Sequence, residues 1–139
     1  MTAESIFPKT PRIAASASQP RLQVVLAADA ALCFILGLAY LLLSSILADA
    51  FGVPQGLLIG LGVLFLPVGA GVVAVARRKP ITRGLSLAVA AINFAWAATS
   101  IVYLLAAASL TTLGMIWVIM QAVAVAVVAE LEIIFGRTG

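Results

Sequence analysis

One acid, Asp29, lies well inside an apolar run, LQVVLAADAALCFILGLAYLLLSSIL (residues 22–47). At ~1.5 Å per helical residue it sits about 10 Å from the start of that run. A carboxylate at such depth is costly unless it is paired, hydrated or protonated, and intramembrane acids often carry function. One chemistry it could perform is proton carriage in a coupled transporter, or cation binding. The other reading is a neutral or paired Asp29 that bridges helices within reach of Arg21 or Arg83. Its distance from the midplane favours that second reading.

Asn93 enters a later apolar run at a similar depth, so a hydrogen bond between Asp29 and Asn93 is expected. Such interhelical bonds contribute ~0.6 kcal/mol on average. Gln121 falls further toward the opposite side, level with Ser100 and Tyr40, where an amide acts as interhelical glue. Trp96 lies near mid-membrane, away from the interfacial positions that Trp favours. It is a candidate contact for a lipid-like ligand, pigment or quinone ring, or else it fills the bundle core. Glu130 and Glu132, in AELEIIFGR, end the last apolar run. Acids oppose the macrodipole at a helix C-terminus, so Arg77, Arg78 or Arg83 of the neighbouring loop, or basic residues of a partner, are expected to hold them as an acidic cluster. Two carboxylates at i and i+2 point to different faces and make a poor catalytic dyad.

Other chemistries are excluded by residue type. Histidine is absent, and Cys33 is the sole cysteine. An intrachain disulfide, a CxxC redox pair and imidazole ligation of haem, zinc or copper are therefore ruled out. No phosphate-binding glycine loop, metalloprotease helix or serine nucleophile elbow occurs. We expect no enzyme and no cofactor bound through His or Cys, while a lipid or other hydrophobic ligand remains open.

The elements that position these residues follow from composition. Hydrophobic residues make up 64% and charged residues 9% of the chain, and mean hydropathy is +1.23. Soluble domains carry near a quarter charged residues, so lipid must cover this surface. A helix crosses the hydrocarbon core with about 20 apolar residues. Four runs qualify, at about 22–47, 57–76, 84–108 and 113–135. Residues 1–21 read as a flexible cytoplasmic tail that touches the membrane through Ile6 and Phe7, and 136–139 as a short cytoplasmic end. The first run is too long for a signal-peptide core of about 7–15 residues. The fold class expected is an all-α membrane protein, four transmembrane helices in a compact antiparallel bundle.

Basic residues set the orientation. Lys9, Arg12 and Arg21 precede the first run, Arg77, Arg78, Lys79 and Arg83 divide the second from the third, and Arg137 follows the fourth. The segments 48–56 and 109–112 carry none. Under the positive-inside rule both termini are cytoplasmic. The central cluster RRKPITR is thus a topology signal that also contacts anionic lipid headgroups; its segregation argues against nucleic acid.

Small and polar residues should mark the faces where helices meet in lipid. The spacing selects Asp29, Cys33, Gly37, Tyr40 and Ser44 in the first span. In the second it selects Gly56, Gly60, Val63, Pro67, Gly71 and Ala74. The third offers Ser86, Ala90, Asn93, Ala97, Ser100 and Ala107, and the fourth Gly114, Val118, Gln121, Val125, Val128 and Glu132.

The missing catalytic constellation favours a non-catalytic accessory, scaffold or assembly subunit of a larger membrane complex, with other membrane subunits and anionic lipids as partners. The alternative is a minimal oligomeric proton-coupled transporter or channel using Asp29. Four spans with an acid in the first resemble small multidrug-resistance transporters in outline. That family relies on a membrane-embedded Glu, whereas an Asp stands here and no further motif is matched. The Ala-, Val- and Gly-rich composition points to a bacterial cytoplasmic (inner) membrane.

Overall fold

The structure, a computed structural model, describes residues 11–137, with side chains from Gln19 onward. Five helices make it up: α1 (Pro11–Leu42), α2 (Ser44–Phe51), α3 (Gln55–Ala76), α4 (Arg83–Ala106) and α5 (Thr112–Gly136). No strand occurs among the described residues. Four helical stretches are long and apolar enough to cross a membrane: Gln19–Leu42, Gln55–Ala76, Arg83–Ala106 and Thr112–Gly136. The chain has the architecture of a multi-pass membrane protein.

α1 extends back to Pro11, so residues 11–21, expected as tail, are helical. Proline suits the first position of a helix because its missing N–H would be unpaired there anyway. The side chain of Gln19 then pins this extension to the loop before α4. Ile81 N–H donates to Gln19 Oε1 at 3.0 Å, and Gln19 Nε2 donates to the Ile81 carbonyl at 3.3 Å. Leu22, Leu26 and Ala30 of α1 pack with Val72, Ile81 and Val89 into a buried cluster at this end. The rest of the expected tail, residues 1–10, and the end at 138–139 lie outside the described residues.

The bundle is two helix pairs joined through their first and last members. α1 packs along α3, α4 along α5, and α1 meets α5. The α1–α3 seam depends on Gly37, Gly62 and Gly69. A Cβ on Gly62 would lie 2.7 Å from Leu41 Cγ and 2.9 Å from the Gly37 carbonyl, and one on Gly69 would lie 3.1 Å from Cys33 Cβ. This corrects the face expected for the second span. Gly56, Gly60, Pro67 and Gly71 point outward, and a Cβ on any of the three glycines would meet nothing within 4 Å. The buried face is Leu58, Gly62, Phe65, Gly69 and Val72. Glycines recur around the whole of α3, so two stripes of equal spacing compete. Docking selects the one whose glycines admit α1 while Phe65 and Leu58 fill the space between.

Hydrogen bonds close the end opposite the basic loop. Thr111 N–H donates to the Phe51 carbonyl at 3.1 Å, Thr111 Oγ1 to the Ala50 carbonyl at 2.6 Å, and Ser109 Oγ to the Gly52 carbonyl at 2.9 Å. Gly52 ends α2 with φ +69, in the left-handed region that glycine tolerates. Thr111 also caps α5, accepting from Gly114 N–H at 3.0 Å.

Candidate functional site

The site begins with a helix register. Ser86 and Asn93 lie seven residues apart on α4 and share one face; Glu132 and Gly136 lie four apart on α5 and share another. Packing α4 on α5 sets these faces together. Ser86 Oγ donates to the Glu132 carbonyl at 2.6 Å. Gly136 allows that approach, because a Cβ there would collide with the Ser86 hydroxyl.

Two turns deeper along α4, Asn93 joins three helices. Its Nδ2 donates to Asp29 Oδ2 of α1 at 3.0 Å and to Glu132 Oε2 and Oε1 of α5 at 3.2 and 3.5 Å. A carboxamide has two N–H bonds, so one serves Asp29 and the other is shared between the Glu132 oxygens. Asp29, Asn93 and Glu132 expose 4%, 8% and 0% of their surface, which removes all three from lipid contact. Every fully buried side-chain nitrogen or oxygen among the described residues has a hydrogen-bond partner.

The expected acidic cluster therefore divides. Glu130 is exposed while Glu132 turns inward, as two positions about 200° apart on a helix must. Arg77, Arg78, Lys79 and Arg83 are exposed, and Glu132 meets the Asn93 amide and the Asp29 carboxyl group. The spacing of α5 placed Glu132 on an inward stripe. Its meeting with Asp29 depends on how α1 packs on α5, which no local pattern records.

A second polar group lies at the other end of the bundle. Trp117 Nε1 donates to Tyr40 Oη at 2.9 Å, and Tyr40 Oη donates to Gln121 Oε1 at 3.4 Å. Rings enclose it. Phe51 stacks on Trp117 with centroids 5.5 Å apart, and Phe65 meets Trp96 edge-on at 4.9 Å. Trp96 thus bridges α4 and α3, which otherwise make little contact. Ser100, expected to bond across helices, instead donates to the Trp96 carbonyl of its own helix at 2.9 Å, a local bond open to any helical serine.

Between the two polar groups runs a cavity of about 710 Å³. Asp29, Asn93 and Cys33 line one end, Trp117 and Gln121 the other, with Leu36, Phe65 and Val128 among the apolar walls. The rise from Gln121 to Glu132 along α5 is about 16 Å. A smaller cavity of about 110 Å³ adjoins it and shares Trp96, Trp117 and Gln121. The larger volume lies in the range of small-molecule sites, ~300–1,000 Å³, which are likewise apolar with few convergent polar groups. Among the described residues no three of His, Cys, Asp and Glu are grouped as a metal site would require.

No family model, curated protein or solved structure matches the chain.

Proposed function

We propose that this chain is a minimal proton-coupled transporter in which the cavity takes up an amphipathic molecule bearing a cationic group. The observation that carries this reading is the convergence of two carboxyl groups from different helices, Asp29 and Glu132, on one amide beside that cavity. Both acids lie within hydrogen-bonding distance of one nitrogen, so their oxygens are within about 6 Å of each other. If both were charged, their repulsion at an effective dielectric of ~20 would be at least about 3 kcal/mol. A proton relieves it, and so does a ligand cation. Competition between proton and cation for one site is the basis of exchange: loading from one side displaces a proton, and reprotonation from the other releases the ligand.

In the membrane the helices form an antiparallel bundle with both termini and the Arg77–Arg83 loop in the cytoplasm, set by the segregation of basic residues. The composition supports a bacterial inner membrane. The polar clusters then sit at different depths, the carboxyl pair toward the cytoplasm and Tyr40, Trp117 and Gln121 toward the other side.

The test is exchange in proteoliposomes containing an internal pH dye, with tetraphenylphosphonium as the probe cation. Uptake of the probe should drive proton efflux, and Asp29→Asn with Glu132→Gln should abolish it. Equal flux through the wild type and the double variant would overturn the proposal.

A second reading, an accessory or scaffold subunit, is supported by the outward face of α3. Gly56, Gly60 and Gly71 leave open space there, which is how small residues admit a neighbouring transmembrane helix. Stable co-purification of larger membrane proteins, lost on Gly60→Leu, would favour it.

A further inference from the structure

A groove of about 700 Å³ lies on the outside of the bundle between α1 and α3, away from the carboxyl pair. Its base and walls are Ala27, Ala30, Ala31, Phe34, Val73 and Ala76. Gln23, Arg77 and Lys79 line its basic end. The three alanines form a shallow trough on α1, and the ring of Phe34 closes the far end. From Gln23 to Phe34 the helix rises about 16 Å, close to half of the ~30 Å hydrocarbon core. The groove therefore has the depth of one leaflet. Both formal charges along it are positive, and both stand at its mouth, where the hydrocarbon gives way to headgroups.

We propose that this groove binds one anionic phospholipid of the leaflet on the side of the Arg77–Arg83 loop. One acyl chain lies along Ala27, Ala31 and Phe34, and its phosphate is held by Arg77 and Lys79. Arginine offers a planar fork of donors to phosphate oxygens and lysine a compact charge. The Gln23 amide, without a hydrogen-bond partner among the described residues, supplies a further donor to the glycerol esters. A zwitterionic lipid fits the trough equally well but places a choline cation near the two basic side chains. The site therefore discriminates by headgroup charge, and chain length is read by the distance to Phe34.

The experiment is native mass spectrometry of the full-length protein in detergent, titrated with phosphatidylglycerol and with phosphatidylcholine of the same acyl chains. One phosphatidylglycerol should remain bound per chain, with a preference over phosphatidylcholine of roughly thirtyfold, the scale for two basic residues at ~1 kcal/mol each at a membrane surface. Arg77→Gln with Lys79→Gln should erase the preference. Arg78→Gln, outside the groove lining, should leave it. Ala31→Trp should fill the trough and displace both lipids, and free glycerol phosphate should not compete. The proposal is overturned if the two lipids are retained equally by the wild type. It is overturned as well if Arg78→Gln acts as strongly as the double change, since diffuse charge would then account for binding. Arg77 and Lys79 are exposed, so their replacement tests the site without disturbing the fold.

Discussion

Removing the amide from Asn93 tests the three-helix junction. Asn93→Leu deletes two donors and leaves Asp29 and Glu132 facing each other without an intermediary. Interhelical hydrogen bonds in membranes average ~0.6 kcal/mol and reach ~1.7, while bonds to charged acceptors run ~1.5–3 kcal/mol. With a carboxyl–carboxyl term of at least about 3 kcal/mol at a separation of ~6 Å or less, which a proton on either acid would relieve, the net loss should be about 2–4 kcal/mol. In an Asp29→Asn, Glu132→Gln background the acids are gone and only ordinary amide contacts are lost, about 1 kcal/mol. The coupling in the cycle is then on the order of 2 kcal/mol, well above the few tenths found for independent sites. Reversible unfolding in mixed micelles, followed by tryptophan fluorescence, measures all four proteins. Equal losses in both backgrounds would refute the reasoning, because Asn93 would then be packing rather than joining the acids.

Three further outcomes are expected. Gly62→Val should lower stability by about 1–3 kcal/mol, since its Cβ would meet the Gly37 carbonyl and Leu41, whereas Gly60→Val should leave the melting temperature within error. Trp117→Phe keeps the stacked ring on Phe51 but removes the donor to Tyr40. It should cost roughly 1 kcal/mol in the same unfolding assay. Gln19→Ala should speed hydrogen exchange at the Ile81 amide by about tenfold, because that N–H donates to Gln19, while exchange at Thr111, at the other end, stays unchanged.

The helices were legible because lipid imposes a simple requirement: about 20 apolar residues with every backbone group paired within the segment. The inner faces of α1 with the start of α2, and of α4, were legible for a related reason. Asp29, Gly37, Tyr40 and Ser44, and Ser86, Asn93, Ala97 and Ser100, are the small or polar minority on helices otherwise clad in large apolar side chains, and all of them are buried. α3 defeats that reasoning because its glycines are not a minority on one side. Gly56, Gly60 and Gly71 share one face and Gly62 and Gly69 the opposite one, and the choice belongs to the shapes of Phe65 and Leu41. The cluster was half legible. Similar depth brings Asp29 and Asn93 together, but the nearest charges in the sequence drew Glu132 toward the arginines. Only the packed helices show that an amide holds it instead.

The junction at Asn93 also bears on how the protein is made. Asp29 belongs to the earliest of the four spans in chain order, yet Asn93 follows 64 residues later and Glu132 another 39. During synthesis the first span must wait, its carboxyl group hydrated, protonated or held at the edge of the insertion machinery, until the third span supplies the amide. The fourth then brings a second acid to the same amide. Lateral release of α1 and α3 as a finished hairpin would strand Asp29 in hydrocarbon, so the late spans must join the early ones before any of them is free to diffuse. A truncation after α3 should accordingly be retained and degraded, whereas the same truncation carrying Asp29→Leu should escape into the membrane.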